Sequence, residues 1–142
     1  MPYMEPVYNI LEKNHGKVIY FDFWARWCPP CLAEMEPLKQ LRSKYSTKDL
    51  VIYSICVSEP KEEWEECLNE YSLKNRGIEC IYASDYFGKD SLQKIRKQWK
   101  IDRMPYYLLL NRKGQIVDFG TTARPSNPQF ISRIEEAVKD SE

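Results

Sequence analysis

The chain has no excess of charge of either sign and no long hydrophobic run. Its 142 residues include 21 lysines and arginines and 21 aspartates and glutamates, so the formal net charge is zero. A nucleic-acid-binding domain usually carries surplus basic residues on one face, and this class is therefore not expected. Apolar runs stay well below the ~20 residues of a membrane-spanning helix. Apolar residues nevertheless make up 43% of the chain, which favours a folded globular domain.

The first residues lack the features of a secretory leader. The chain opens Met1-Pro2-Tyr3-Met4-Glu5, with neither a basic n-region nor an apolar h-region. We therefore expect either a cytosolic protein or an exported domain without its leader.

Histidine is scarce, and the number of cysteines is odd. The chain has one histidine and five cysteines, and only Cys28 and Cys31 lie close together in sequence. A closed zinc site needs four ligands, commonly from two such pairs, so we expect no metal. Secreted proteins stapled by disulfides usually have an even number of cysteines. We expect free thiols at Cys56, Cys67 and Cys80, although a Cys67–Cys80 bridge stays open.

Strand patterns alternate with helical patterns along the chain. A buried strand is predicted at Val18–Trp24, followed by a helix that begins at the close cysteine pair and is kinked by Pro37. Ser58 is predicted to cap the helix after the second strand. The predicted order, β-α-β-α-β-α-β-β-α, indicates an α/β fold with a central mixed, mainly parallel sheet flanked by helices and ending in an antiparallel hairpin. We expect one domain over residues 1–142, with residues 1–15 as an N-terminal segment.

The pair Cys28-Pro29-Pro30-Cys31 has the spacing of a disulfide-exchange site. Such a site needs one thiol that ionises near neutral pH and a second that resolves the mixed disulfide. The helix N-terminus favours the thiolate of Cys28 at an exposed position, and Cys31, one turn further in, is predicted to be more buried. We therefore predict Cys28 as the nucleophile and Cys31 as the resolving thiol.

The surrounding sequence resembles a known family. The segment Phe21–Cys31, Phe-Asp-Phe-Trp-Ala-Arg-Trp-Cys-Pro-Pro-Cys, resembles the active-site segment of the thioredoxin superfamily. Its continuation Leu32–Met35 is similar to the TlpA/ResA-like branch of exported thiol–disulfide oxidoreductases. Gly16–Val18 and Ala123–Pro128 are similar to Bacteroides-type members. The resemblance extends over about residues 16–140 and implies a thioredoxin fold.

The resemblance also implies roles for single residues. Pro105 matches the family's cis-proline, and Met104 before it would touch the substrate; the alternative is an ordinary trans proline. Asp22 matches a buried carboxylate that relays the proton of the resolving thiol, with an inert aspartate at a strand end as the alternative. Glu34 matches a glutamate that tunes the pair, and a solvated helix charge is its alternative. The substrate-binding residues would be Trp27, Pro29, Pro30, Met104 and Pro105.

The chain departs from the family pattern at two places. Pro37 follows Cys31 by six residues instead of five. Where typical thioredoxins carry a lysine near the buried aspartate, the second strand offers Ser54 or Cys56. The electrostatic surroundings of Asp22 therefore differ from those of typical thioredoxins.

The two prolines between the cysteines carry their own implication. Neither has an N–H group, so the Cys28 thiolate depends on the amide of Cys31 and on the helix dipole. We expect Cys28 to be less acidic than in pairs with an intervening histidine, and the protein to be more reducing.

The leading hypothesis is an enzyme that reduces or exchanges protein disulfides, with no cofactor beyond its own Cys28–Cys31 disulfide. Its partners would be protein thiols or disulfides and an upstream dithiol donor, and we expect a monomer. The resemblance favours a periplasmic or membrane-anchored location outside the cytoplasm, with a cytoplasmic one as the alternative. A thioredoxin-fold binding module without catalysis is the competing class. A peroxiredoxin is disfavoured because the chain lacks the Thr-x-x-Cys setting around Cys28.

Overall fold

The computed structural model describes residues 4–140 of the chain; residues 1–3 of the predicted N-terminal segment, and the last two of the predicted domain, lie outside this part. Its elements, in order, are α1 (Glu5–Lys13), β1 (Val18–Trp24), α2 (Pro29–Ala33), α3 (Met35–Lys44), β2 (Leu50–Cys56), α4 (Lys61–Glu70), β3 (Ile78–Tyr82), α5 (Ala83–Phe87), α6 (Ser91–Trp99), β4 (Tyr106–Leu110), β5 (Ile116–Gly120) and α7 (Pro128–Lys139).

The strands form one five-stranded sheet in the order β3-β2-β1-β4-β5. The β1–β2 and β2–β3 pairs are parallel, and the β1–β4 and β4–β5 pairs are antiparallel. The predicted α/β class with a mixed sheet flanked by helices is confirmed. The expectation of a mainly parallel sheet is wrong, because β4 runs opposite to β1 and only half of the pairings are parallel.

Strand β1 is the centre of the molecule, and every one of its residues is buried. Its β-branched and aromatic side chains suit a strand with neighbours on both sides. Phe21 and Phe23 belong to the core cluster that includes side chains from α1, α4, α5 and α6. Tyr20 belongs to a second cluster with α3 and α7, where its ring lies 4.9 Å from that of Phe130. Because side chains alternate along a strand, Asp22 points to the same face as Tyr20.

The predicted single helix after the cysteine pair is two helices. Glu34 ends α2 and precedes α3, so the break falls three residues before Pro37. Proline has no N–H for the carbonyl four residues earlier, and that carbonyl belongs to Ala33, the last residue of α2. Pro37 is thus tolerated in the first turn of α3, where its missing donor costs little. The kink was predicted, but its position was not.

Several local features differ from the sequence expectations. Helices α1 and α5 were not predicted, although Pro6 in the first turn and the spacing of Val7 and Ile10 are typical of a helix start. Ser58 does not cap α4, which begins after Pro60 without a side-chain cap. The Ser58 hydroxyl instead accepts a hydrogen bond from the Arg26 amide at 2.8 Å. Within residues 4–140, no helix has the length and hydrophobicity of a membrane span.

Candidate active site

Cys28 and Cys31 form a disulfide, with their Cα atoms 5.3 Å apart. Cys28 is the N-cap of α2, and its sulfur accepts a hydrogen bond from the Cys31 amide at 3.2 Å. Pro29 and Pro30 occupy the intervening positions and donate no hydrogen bond. The structure therefore shows the donor arrangement expected from the sequence, in which the Cys28 sulfur accepts a hydrogen bond from the Cys31 amide and none from the two prolines.

The two cysteines differ little in exposure. Cys28 is 5% exposed and Cys31 is 2% exposed, so the expectation of an exposed Cys28 is wrong. The Cys28 amide donates to the Ala25 carbonyl at 3.2 Å, and this turn folds the segment after β1 back onto the core cluster that contains both cysteines. Access to the pair therefore depends on the residues beside it.

Trp27, directly before Cys28, is a large exposed side chain beside the pair. Its side chain is 60% exposed and lines a groove of about 290 Å³ together with Leu32, Cys67 and Tyr71. An ion pair between Arg26 and Glu63, 3.2 Å apart, lies on the rim. The groove begins at the two residues that flank the cysteine pair, and its lining combines apolar side chains with the charged Arg26, Glu63 and Glu70. Such a mixed lining suits a side chain of a bound protein segment.

Asp22 is a buried carboxyl in the middle of β1, so the alternative of an aspartate at a strand end does not hold. It is 4% exposed, and burial raises its pKa to about 8, with a further contribution from the negative charge of Glu34. Ser54 on β2 lies opposite Asp22 in the β1–β2 pairing, but the Ser54 hydroxyl accepts a hydrogen bond from the indole N–H of Trp24 at 2.9 Å. No cation replaces the lysine of typical thioredoxins on β2.

Glu34 is buried at the junction of α2 and α3, which contradicts the alternative of a solvated helix charge. It is 7% exposed, and its two oxygens accept hydrogen bonds from the Ser126 amide at 3.0 Å and the Ser126 hydroxyl at 2.6 Å. The Arg124 guanidinium lies 4.0 Å from the same carboxylate. The segment Ala123–Pro128 was noted only for its family resemblance, and no local pattern links Ser126 or Arg124 to Glu34, which lies about ninety residues before them.

Met104 and Pro105 lie at the end of the sheet where β1 ends. The peptide bond between them is cis, and Tyr106, the next residue, pairs with Phe23 near the end of β1. Met104 is partly buried against the cluster that contains the cysteine pair. The topology thus places these two residues at the same edge as Cys28, as a substrate-binding role requires.

The remaining cysteines are free thiols, without the bridge left open by the sequence. Burial raises the pKa of the thiols of Cys56, Cys67 and Cys80, for Cys80 to about 11. Thiols of this kind are poor nucleophiles at neutral pH. No group of three or more potential metal-ligating side chains occurs in the described part of the chain.

Known proteins share both the sequence pattern and the fold. The pattern that defines the Redoxin family matches residues 7–137. The thiol-disulfide oxidoreductase ResA of Geobacillus kaustophilus is 32% identical over 129 residues, which are 91% of this chain and 67% of that protein. The ResA of Bacillus anthracis is 27% identical over 108 residues, 76% of this chain and 57% of that protein. The chain thus spans little more than half the length of some curated relatives.

Solved structures agree with these relatives. The thioredoxin domain of a thiol-disulfide oxidoreductase from Bacteroides vulgatus aligns with a TM-score of 0.70 at 20% identity, over 91% of this chain and 84% of that one. A second protein of that organism, provisionally named a thiol-disulfide oxidoreductase, aligns with a TM-score of 0.65 at 33% identity, over 89% of this chain and 76% of that one. The thioredoxin fold implied by the sequence resemblance is confirmed.

Proposed function

The chain belongs to the Redoxin family, as a TlpA/ResA-like member of the thioredoxin superfamily, and from this premise we propose that it is a thiol–disulfide oxidoreductase acting through Cys28 and Cys31. The observation that carries the proposal is the bonded pair at the start of α2, with the Cys31 amide directed at the Cys28 sulfur. Disulfide exchange needs this arrangement because the second thiol must reach the first.

The proposed reaction moves two electrons to a protein disulfide. The Cys28 thiolate attacks one substrate sulfur, the substrate S–S bond breaks, and the second substrate sulfur leaves as a thiolate. Cys31 then loses its proton and attacks the Cys28 sulfur, which breaks the mixed disulfide and releases the first substrate sulfur as a thiolate. The substrate is reduced, and the protein keeps the Cys28–Cys31 disulfide. A dithiol donor restores the two thiols by the reverse sequence.

Asp22 is the proposed proton carrier for Cys31. Because its pKa is raised to about 8, it holds its proton at neutral pH in the oxidised protein. When a dithiol donor attacks Cys28, the sulfur of Cys31 leaves as a thiolate and takes the proton of Asp22. In the opposite step the Asp22 carboxylate takes the proton back from Cys31.

The substrates we propose are disulfides of other proteins, and the donor is an upstream dithiol protein. Contacts to the substrate chain come from residues on both sides of the pair: Trp27, Pro29, Pro30, Met104 and Pro105. The cysteine pair serves as the only redox group, the protein acts as a monomer, and it works outside the cytoplasm, in line with the exported branch that it resembles.

The reduction potential of the pair tests the direction of electron flow. Titration in dithiol/disulfide buffers, read by thiol labelling and mass, is expected to give about −270 mV or lower, the range of a reductase. A potential near about −120 mV would instead indicate an oxidant that installs disulfides.

The thiol pKa of Cys28 is a separate measurement, and a value well below ~7 would contradict the weak acidity expected from the two prolines.

Trapping separates the enzyme from a non-catalytic binding module. In Cys31→Ser the mixed disulfide at Cys28 cannot be resolved, so covalent complexes with substrate proteins are expected to accumulate. Cys28→Ser with Cys31 intact is the matched control and is expected to trap far less. Equal and negligible trapping by both variants, together with a pair that never cycles, would favour the binding module.

A further inference from the structure

The carboxylate of Glu34 is held from across the molecule. Both of its oxygens accept from one residue, Ser126, through the amide at 3.0 Å and the hydroxyl at 2.6 Å. Ser126 lies in the segment between β5 and α7, residues 121–127, hereafter the 121–127 loop. The junction of α2 and α3, three residues after Cys31, is therefore hydrogen-bonded to a loop that lies 92 residues further along the chain.

The 121–127 loop is itself fixed, so it presents Ser126 in a defined place. The Tyr20 hydroxyl of β1 donates to the Ala123 carbonyl at 2.7 Å. Within the loop, Arg124 Nε donates to the Thr121 carbonyl at 2.7 Å, and Asn127 Nδ2 donates to the Thr122 carbonyl at 2.8 Å. A donor pair on a loop with these bonds loses little entropy when it binds the carboxylate.

The groups that face Glu34 come from several elements. Asp22 on β1 and Tyr107 on β4 both interact with its charge, and burial together with these charges raises the pKa of each. The pKa of Tyr20 on β1 is also raised by burial and by these charges, with Asp118 of β5 as a further negative neighbour. Arg124 is the cation of this group, 4.0 Å from Glu34. The thiols of Cys56 on β2 and Cys80 on β3 also interact with the charge of Asp22.

We propose that Ser126 is a positioning residue for the thiol–disulfide reaction: its amide and hydroxyl hold the Glu34 carboxylate beside Asp22 and so control whether Asp22 carries the proton that Cys31 exchanges. This role rests on the proposed function of the pair. With both oxygens held by Ser126, the Glu34 carboxylate stays in a fixed place from which it raises the pKa of Asp22.

Removal of the Ser126 hydroxyl takes one donor from a buried carboxylate. Glu34 is then free to turn toward Arg124, 4.0 Å away, since a buried charge with an unsatisfied oxygen is costly. This movement weakens the negative potential at Asp22. Ser126→Ala is therefore expected to lower the pKa of Asp22 in the same direction as Glu34→Gln, but by less, because the amide of residue 126 remains.

The test is a titration of the Asp22 side-chain carbon by ¹³C NMR in the oxidised protein, with the signal assigned by its loss in Asp22→Asn. The wild-type midpoint is expected near pH 8. Glu34→Gln is expected to lower it by roughly one pH unit and Ser126→Ala by about half a unit. Ser126→Thr, which restores a hydroxyl, is expected to return it to the wild-type value. Ser132→Ala removes an exposed hydroxyl of α7 that donates to the Pro128 carbonyl, and it is expected to leave the midpoint unchanged.

A midpoint in Ser126→Ala equal to that of the wild type, with a shift in Glu34→Gln, would overturn the proposal. So would a failure of Ser126→Thr to restore a shifted midpoint, because that result indicates loss of the loop structure instead of loss of a donor.

A kinetic measurement connects the charge to the reaction. The rate at which dithiothreitol reduces the Cys28–Cys31 disulfide is measured from pH 6 to 9 for the wild type and Ser126→Ala. The rate of the variant is divided by that of the wild type at each pH, because this ratio cancels the ionisation of the reagent. The ratio is expected near one at pH 6 and at about half near pH 8, where the variant has lost more of its Asp22 proton. A flat ratio despite a shifted NMR midpoint would show that Ser126 has no role in the reaction. A wild-type protein that reduces no protein disulfide refutes the proposed function, while the NMR titration still decides whether Ser126 controls Asp22.

Discussion

The side chains around the Cys28–Cys31 pair fall into two groups that differ in exposure to solvent and in charge. On the outer side, Trp27 stands 60% exposed above a groove whose rim ion pair is open to solvent. What we call the inner side consists of the carboxyl groups of Asp22 on β1 and Glu34 at the end of α2, which are buried at 4% and 7% exposure. The outer side thus presents a large aromatic side chain and a charged rim to water, and the inner side holds ionisable groups out of water.

Under the proposed function, this difference separates recognition of the substrate from proton transfer. Exposed apolar surface costs the folded state little and gains energy when a partner covers it. Buried carboxyls cost stability, because burial disfavours their charged form, but the same burial moves a pKa into the range where a proton can be exchanged near neutral pH. Substitutions on the two sides should therefore change different measured quantities.

Asp22→Asn tests the inner side and is expected to have the largest effect. The unfolded chain ionises an aspartate near its ordinary pKa of ~3.9, while the folded protein keeps the Asp22 proton up to about pH 8. Folding stability is therefore lost as the pH rises from about 4 to 8, and asparagine removes this loss. We expect the variant to be more stable than the wild type by about 5 kcal/mol at pH 8, at ~1.36 kcal/mol per pKa unit, and equally stable near pH 4, measured by urea unfolding.

The same variant should lose catalysis while it gains stability. Disulfide reduction turnover is expected to fall by about tenfold to a hundredfold, because Cys31 loses its proton carrier. Asp102→Asn is the matched control, since its carboxyl is 83% exposed, and it should change neither quantity. A gain in stability of Asp22→Asn that does not depend on pH would contradict the assignment.

Trp27→Ala tests the outer side. The expected result is a rise of about fivefold in the KM for a protein disulfide, as befits one aromatic contact of ~1 kcal/mol, with unchanged turnover of a small disulfide and unchanged stability. Phe119→Ala is the matched control, because Phe119 is equally exposed on β5. A loss of turnover with the small disulfide would show that Trp27 acts on the chemistry and would remove the separation of the two sides.

Tyr107→Phe tests a hydroxyl of the inner side and is expected to have the smallest effect. Tyr107 pairs with Asp22 across the sheet, and among the described residues its buried hydroxyl has no hydrogen-bond partner. Its removal is expected to leave the free energy of unfolding unchanged or raise it by up to about 1 kcal/mol. In Tyr20→Phe, which loses the bond to Ala123, a decrease of about 1 kcal/mol is expected instead. Equal losses in both variants would contradict this contrast.

Local pattern by itself predicted most of the strands and helices and the position of the cysteine pair at a helix start. The β-branched and aromatic run of β1, the two-residue spacing of the cysteines and the prolines between them are all encoded within a few neighbouring positions. Side-chain periodicity and helix-start chemistry depend on such neighbours, which explains why these predictions hold. Helix α5 was missed because five residues are too few to show a helical period.

Only the tertiary structure decided how the charges around the pair are arranged. The sequence suggested a buried Asp22, but whether Glu34 is solvated or buried depends on the 121–127 loop, which reaches it through Ser126 from 92 residues away. Likewise, the exposure of Cys28 depends on the turn that folds it onto the core. Burial and electrostatic interaction are properties of atoms brought together by packing across the sheet, and no local sequence pattern contains those distances.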